Sequence, residues 1–216
     1  MLAKDSNASF YSNMPLDIFM GFAEKIGLSE GEDVDQIYED IKESSLLIEF
    51  GSGYGRVIQA LKTKNFQGQI VGIERVHELT EILKEKASEN ITIVEDDLCY
   101  LDWHREKADT ILWMWSGILE LTPDDQQKVI TKAYDMLVDG GQLIIECPFN
   151  DSISKVGMLS NDKKIVVKEA WGVLDATLVE SNDIENYSSN AGFSSHSLRK
   201  YETTTNLTRA IYTLIK

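Results

Sequence analysis

The residues best placed to do chemistry lie in one stretch, Leu46-Leu47-Ile48-Glu49-Phe50-Gly51-Ser52-Gly53-Tyr54-Gly55-Arg56. An apolar run ends in a carboxylate, and three glycines follow at alternate positions. The run reads as a buried parallel strand and the residues after Gly55 as a helix start. A strand, a glycine turn and a helix build a ligand cradle. Glycine lets a ligand approach the bare backbone, and the helix start offers free N–H groups. A second acid, Glu74, stands 23 positions after Gly51 at the expected end of the next strand. An acid there, beside the switch point of an open α/β sheet, accepts both hydroxyls of a ribose. Loop and acid together point to an adenosine-type ligand.

The dinucleotide fingerprint G-x-G-x-x-G fits less well. Arg56 occupies its sixth position, and the third glycine comes one place early at Gly55. Glu49, directly before the loop, would sit badly beside a pyrophosphate and suits a cationic ligand. An NAD-dependent oxidoreductase is therefore the second reading, opposed by Arg56 and Glu49.

These residues need elements to hold them. From Leu46 onward strands and helices alternate. Strands are expected at Leu46–Phe50, Gln69–Glu74, Ile91–Glu95, Thr110–Trp113 and Gln142–Cys147, and helices at Arg56–Lys64, His77–Ser88 and Asp124–Leu137. Asp139-Gly140-Gly141 reads as the turn from the last helix into its strand. Such alternation implies right-handed crossovers and a parallel sheet covered on both faces. Near the end, Asn182 is expected to cap a short helix that stops at Ala191-Gly192-Phe193. Ser195–Tyr201 and Arg209–Ile215, with no helix between them, should pair antiparallel. Residues 1–45 read as an acidic helical preface. Pro15 opens a helix with Leu16, Phe19, Met20 and Ala23 on one face, Gly27 closes it, and Val34, Ile37, Tyr38 and Ile41 form a second amphipathic stretch. Residues 148–181 are the least regular, with a hairpin expected around Gly172.

With these stations in order, the chain resembles the seven-stranded, class I S-adenosylmethionine-dependent methyltransferases. The first motif of that family, an acid followed by x-G-x-G-x-G, is matched by Glu49-Phe50-Gly51-Ser52-Gly53-Tyr54-Gly55. The resemblance runs from about Leu46 to Cys147, with the C-terminal helix and hairpin also in the family's order. It implies an α/β fold, a three-layer doubly wound and mostly parallel seven-stranded sheet with an antiparallel C-terminal strand. Residues 1–45 would be a helical cap, 46–216 the methyltransferase domain and 148–181 an insert at the acceptor site. It implies S-adenosylmethionine as cofactor, with Gly51, Ser52, Gly53 and Gly55 around the methionine part and Glu49 near its amino group. Glu74, followed by Arg75, takes the ribose. Asp97, with Asp96 a close rival and Leu98 behind, meets the adenine amine. Trp113 ends the fourth strand where the methyl group emerges, with Met114 and Trp115 after it.

The acceptor is less legible. Methyl transfer from a sulfonium is an in-line displacement with an activated leaving group, so the protein mainly aligns and desolvates. Trp113-Met114-Trp115-Ser116 lacks the proline-rich tetrad of the adenine-amine enzymes and the Pro-Cys of the cytosine-ring enzymes. Glu120 has no second glutamate beside it and is expected on a helix surface. Asp151 alone makes no metal cluster, so no metal site is expected. His77, His104 and His196 read as solvated. Tyr11 is the catalytic candidate, on an N-terminal segment that closes over the cofactor in many relatives. A compact small-molecule acceptor fits a chain with little beyond the core fold. A lysine-bearing protein and a non-catalytic partner role are the alternatives.

The 216 residues carry a formal charge of −15 and are 43% hydrophobic. That allows a full core and disfavours nucleic acid, whose phosphates such a surface repels. No apolar run has the length of a membrane span. Met1-Leu2-Ala3-Lys4-Asp5-Ser6 has no apolar leader region. Cys99 and Cys147, 48 positions apart, are expected as reduced thiols in a cytoplasmic protein.

Overall fold

A computed structural model describes residues 3–149, 158–159 and 163–216. Seven strands form one sheet: β1 (Leu46–Phe50), β2 (Gln69–Glu74), β3 (Ile91–Glu95), β4 (Ala108–Trp113), β5 (Leu137–Pro148), β9 (Ser195–Glu202) and β10 (Thr208–Ile215). Their order is β3-β2-β1-β4-β5-β10-β9. The first five run parallel, and β10 pairs antiparallel with both β5 and β9. The order reverses at β1, so the loops after β1 and β4 open beside one another at a switch point.

The apolar runs explain the layers. β1 sends Leu47 to one face, where it packs with Val34, Ile37 and Ile41 of α3 (Glu32–Ile41) and Val57 and Leu61 of α4 (Arg56–Thr63). Ile48 points to the other face, against Val129, Ile130 and Ala133 of α6 (Pro123–Met136) and Ile184 of α7 (Ser181–Ala191). Helix α5 (His77–Lys84) covers the β2–β3 side through Leu83. The fold class is the expected one.

A second, smaller sheet holds β6 (Met158–Leu159), β7 (Lys164–Glu169) and β8 (Gly172–Thr177), all antiparallel. Helix α1 (Ala3–Asn13) docks on it. Asn7, fully buried, pairs with the Asp175 backbone in both directions: Nδ2 donates to its carbonyl at 2.7 Å, and Oδ1 accepts its N–H at 2.9 Å. Helix α2 (Leu16–Ile26) follows Pro15 and ends at Gly27, whose φ of 70° is the left-handed cap expected there. Phe10, Phe19, Val76 and Leu79 form a third apolar cluster, which joins these helices to α5.

Several local expectations are corrected. Helix α7 is capped by Glu180, not Asn182. Its side chain and that of Asp183 form a reciprocal capping box, which satisfies two end donors where a single Asn would satisfy one. Asp139-Gly140-Gly141 lies within β5, as a looped-out stretch. Ala108 pairs with Leu137 and Thr110 with Gln142, so four residues bulge opposite one, and Gly140 takes φ 80°. The N–H of Gly140 and the carbonyl of Gly141 are held by Lys216, which keeps the bulge in the sheet. Helix α5 stops at Lys84, because Ser88 already bridges to Ile91.

Candidate functional site

The glycine loop turns under the end of β2. The N–H groups of Gly51 and Ser52 both donate to the Ile73 carbonyl, at 2.9 and 3.0 Å. Gly51, Gly53 and Gly55 have φ of 68°, 55° and 83°, a region where other residues are strained. A Cβ on Gly51 would meet nothing within 4 Å, so it faces open space, whereas one on Gly55 would strike Leu83 at 2.8 Å. The first glycine keeps room for a ligand; the third lets α5 pack close.

Glu74 ends β2 inside this loop. Its Oε1 accepts the N–H groups of Arg75 and Val76 at 2.8 and 2.9 Å, and its Oε2 accepts that of Gly53 at 2.8 Å. Burial still raises its pKa above the ordinary carboxylate value, against the pull of those three donors. Oε2 retains accepting capacity for a ligand hydroxyl.

Glu49 is 3% exposed, and its Oε2 has no hydrogen-bond partner. Burial pushes its pKa up to about 8, although Ser52 and Arg56 both work the other way. A buried carboxylate without a counter-charge is costly. A cationic group placed beside it would relieve that cost.

Asp96, Asp97 and Leu98 follow β3 and line the same cavity. Asp96 accepts the N–H of Asp97 at 2.7 Å, and Asp97 accepts that of Cys99 at 2.9 Å. Lys132 of α6 donates to the carbonyls of Leu98, Cys99 and Leu101, which fixes the turn from behind. Arg75 stands between Asp97 and Glu120, 3.7 Å from an oxygen of each.

Glu120 was expected on a helix surface and is instead part of the cavity wall. It ends a 3-10 turn, Gly117–Glu120, that follows β4. The Tyr11 hydroxyl donates to its Oε1 at 2.7 Å. Burial pushes the Glu120 pKa up to about 7, against the opposing charge of Arg75 and the bond from Tyr11. Burial also raises that of Tyr11, with the Glu120 charge adding to it. A lone acid among Ile118, Leu119 and Leu121, all buried, was the available signal.

Trp113 forms an inner wall, 1% exposed, with its ring edge-on to Phe50 at 6.0 Å. Beyond it, Trp115 and Ser116 both have positive φ, 48° and 66°. Two consecutive non-glycine residues in that region cost about 1–3 kcal/mol each and persist only where the surroundings over-determine them. The surroundings are Glu146 and Arg209. Glu146 Oε2 accepts the Trp115 N–H at 3.0 Å, the Glu146 carbonyl accepts that of Ser116 at 2.9 Å, and Arg209 Nη2 donates to Ser116 Oγ at 2.8 Å. Arg209 grips Glu146 through Nε and Nη2, and the Tyr201 hydroxyl donates to Glu146 at 2.9 Å. Burial works against the Arg209 charge, but Glu146 outweighs it and the net pKa shift is upward. The result presents Trp115 to Phe19, stacked at 5.1 Å, and to Tyr54 at 6.1 Å. None of Glu146, Arg209 or Ser116 was singled out from the sequence.

Arg56 performs a parallel task. It grips Asp33 of α3 with two bonds of 2.7 and 2.6 Å and donates to the Leu28 carbonyl at 2.8 Å. The preface is thereby tied to the glycine loop. Tyr11, Glu49, Gly51, Ser52, Gly53, Arg56, Glu74, Arg75, Asp96, Asp97, Leu98, Trp113, Trp115, Ser116, Glu120 and Arg209 line one cavity of about 690 Å³, walled by α1, α2 and the second sheet, whereas Gly55 stands behind the loop against α5.

The histidines lie outside it. His77, Glu81 and Glu95 form the one group with metal-ligating spacing among the described residues, and all three are exposed. His104 is exposed beside Asp102. Asp151 falls outside the described residues. Cys99 and Cys147 are buried and unbridged.

The Methyltransferase domain family matches residues 47–141. An uncharacterized methyltransferase of Bacillus cytotoxicus is 29% identical over 126 residues, which cover 53% of this chain and 58% of that protein. The chain thus spans little more than half the length of that relative. Among solved structures, the fold resembles an amino pentose methyltransferase from Micromonospora echinaspora with S-adenosylmethionine bound (TM-score 0.64, 12% identity, 93% of this chain and 98% of that one). It also resembles an S-adenosylmethionine-dependent methyltransferase from Clostridium acetobutylicum (0.67, 14%, 92% and 98%). A third likeness is to a glycopeptide N-methyltransferase in complex with S-adenosylhomocysteine (0.68, 11%, 85% and 86%). At these identities the likeness is one of fold.

Proposed function

We propose that this chain, which carries a Methyltransferase domain match over residues 47–141, is a class I, S-adenosylmethionine-dependent methyltransferase that transfers the sulfonium methyl group to a compact small-molecule acceptor. The carrying observation is the unpartnered, buried Oε2 of Glu49 beside a glycine loop that opens onto the cavity. That oxygen fits the cofactor's amino group. Glu74 takes the ribose hydroxyls with the accepting capacity left on Oε2. Asp97, with Asp96 beside it, meets the adenine amine, and Leu98 and Arg75 flank that end. Gly51, Ser52, Gly53 and Gly55 surround the methionine part, with Trp113 as an inner wall.

When bound, the cofactor supplies a methyl group on a leaving group that needs no further activation. The chain's own residues align the partners and keep water out. Helices α1 and α2 with strands β7 and β8 act as the lid. Tyr11 belongs to that lid. Its proton is engaged by Glu120, so we assign it to closure over the cofactor and not to proton abstraction from the acceptor.

A small acceptor is supported by the enclosure: about 690 Å³ holds cofactor and acceptor together, within the usual range of small-ligand sites. The amino pentose methyltransferase has a small sugar in its name, and the glycopeptide N-methyltransferase a larger acceptor. No helix among the described residues is long and apolar enough to cross a membrane. The unbridged cysteines suit the reducing cytoplasm we propose as its compartment.

The test measures thermal shift and calorimetry with S-adenosylmethionine, S-adenosylhomocysteine and NAD on wild type, Glu74→Ala and Gly53→Val. Both sulfur ligands should raise the unfolding midpoint of wild type and fail with the variants, and NAD should do neither. Stabilisation by NAD alone sinks the reading. Labelled methyl transfer to a panel of amines, phenols and acids, set against labelling of whole lysate protein, then separates a small acceptor from a basic protein. Tight cofactor binding without any turnover would mark a non-catalytic partner.

A further inference from the structure

The cavity is polarised. Among the described residues, the acids Glu74, Asp96, Asp97 and Glu120 line its cofactor end, with Arg75 among them. At the other end the ionised side chains that line it are Lys25, Arg56 and Arg209, around Trp115, Ser116, Thr205 and Leu207. These basic groups are neighbours. The Arg56 guanidinium lies 5.5 Å from the Trp115 ring, and Arg209 bonds to the next residue, Ser116. The end of α2, which carries Lys25, abuts the β9–β10 turn: a Cβ on Gly27 would lie 3.1 Å from the Thr203 side chain. Glu49 lies at the boundary and feels both Arg56 and Glu74.

We propose that this basic end binds a carboxylate on the acceptor, so that the acceptor is a planar organic acid. The proposal rests on the methyl-transfer reading and names the acceptor class for that same site. Arg209 is 3% exposed and lines the cavity. Its Nε and Nη2 are committed to Glu146 and Ser116. Its Nη1, with two N–H donors, meets no protein partner among the described residues. A guanidinium held on one edge by a carboxylate keeps Nη1 in a fixed plane, where it can donate to an oxygen of a second carboxylate. Arg56 repeats the pattern: both terminal nitrogens are committed to Asp33 and Leu28, and its Nε is buried without a partner. Each arginine is balanced by its own buried acid. Lys25 is not: it is exposed at the mouth, and its contact is the Phe22 ring at 5.3 Å. It supplies the unbalanced positive charge. A chain of net charge −15 repels anions at long range, so an acid is retained only where such local donors outweigh that field. The stacked rings of Phe19 and Trp115, with Tyr54 edge-on, give the planar part of the acid an aromatic wall.

The test uses the full chain saturated with S-adenosylhomocysteine, titrated by calorimetry with phenylacetate and indole-3-acetate and with the corresponding neutral amides. The acids should bind at least tenfold more tightly than the amides, and Lys25→Gln should cut that preference severalfold. Arg209 variants leave Glu146 buried and unpaired and can unfold, so the paired change Glu146→Gln with Arg209→Gln is the second variant; it should abolish the preference. Acids and amides binding alike, or neither binding while S-adenosylhomocysteine binds, overturns the proposal alone. Failure of S-adenosylhomocysteine itself to bind overturns the methyl-transfer reading and this proposal with it.

Discussion

The two ends of the cavity, which we assign to cofactor and acceptor, solve the same problem, holding polar groups in a largely buried space, by different means. At the cofactor end Glu74 and Asp97 lean on nearby backbone. Glu74 takes N–H groups from Gly53, Arg75 and Val76, and Asp97 takes one from Cys99. At the acceptor end the charges lean on one another across the fold. Arg209 of β10 grips Glu146 of β5, and Arg56 of α4 grips Asp33 of α3. A site fastened by contiguous backbone tolerates change elsewhere in the chain. A site fastened by buried ion pairs depends on the whole sheet being in register.

That contrast can be broken in order of expected effect. Glu146→Ala leaves Arg209 buried and uncompensated and should cost about 3–5 kcal/mol in urea unfolding; replacing both partners by apolar residues should recover most of it. A small loss in the single variant would mean that the acceptor end is not fastened as described.

Glu49→Gln should leave the fold intact and weaken S-adenosylhomocysteine binding by about 1.5–3 kcal/mol, the usual worth of a hydrogen bond to a charged group. The proton linkage gives a second readout. Burial holds the Glu49 pKa at about 8, above the ordinary 4.5, so the carboxyl is mostly protonated in the free protein at pH 7. A cationic amino group would drive its ionisation. Wild type should therefore release a proton on binding at pH 7, measured by calorimetry in buffers of different ionisation enthalpy, and Glu49→Gln should not. The free protein should also lose stability as pH rises from about 4.5 to 8, since the folded state holds that proton more tightly than the unfolded state. The variant should lose the share of this decline that Glu49 contributes and keep the share due to Glu120 and Glu74, whose pKa values burial also raises.

Gly51→Ala tests the loop itself. With φ at 68°, a Cβ costs about 1–2 kcal/mol. Because that Cβ would enter open cavity space, cofactor affinity should fall by more than thermal stability does. Tyr11→Phe is the mildest change. It removes one bond to Glu120, worth about 0.5–1.5 kcal/mol, and should weaken S-adenosylhomocysteine binding a fewfold. An unchanged affinity would remove Tyr11 from the lid that we assign it to.

The two ends were unequally legible. Each donor residue sits at a strand end or in the turn after it, and strand ends can be found from apolar runs alone. Glu49 and Glu74 were placed by that logic, and Asp97, with Asp96 as its rival, by the family resemblance; all four line the cavity. Glu120 was misplaced because nothing local says that α1 returns to cover it. Asn182, with Glu185 three residues on, was read as the cap, but the helix begins earlier, where Glu180 and Asp183 bond reciprocally, a geometric fact that composition does not display. Arg56 was noticed only as a missing glycine, and nothing local ties it to Asp33, 23 positions earlier on α3.

The sequence by itself determined the strand–turn–helix cradle, the alternation that builds a parallel sheet and the acids at its strand ends, because each depends on residues within a few positions of one another. Only the tertiary structure decided the acceptor end. The antiparallel register sets Ile211 opposite Glu146 and Tyr201 opposite Arg209, which brings Glu146 and Arg209 into diagonal reach on one face. That pair then holds Trp115 and Ser116 in a backbone region they would not adopt alone. A slip of one residue would turn Arg209 to the opposite face of the sheet and empty the site.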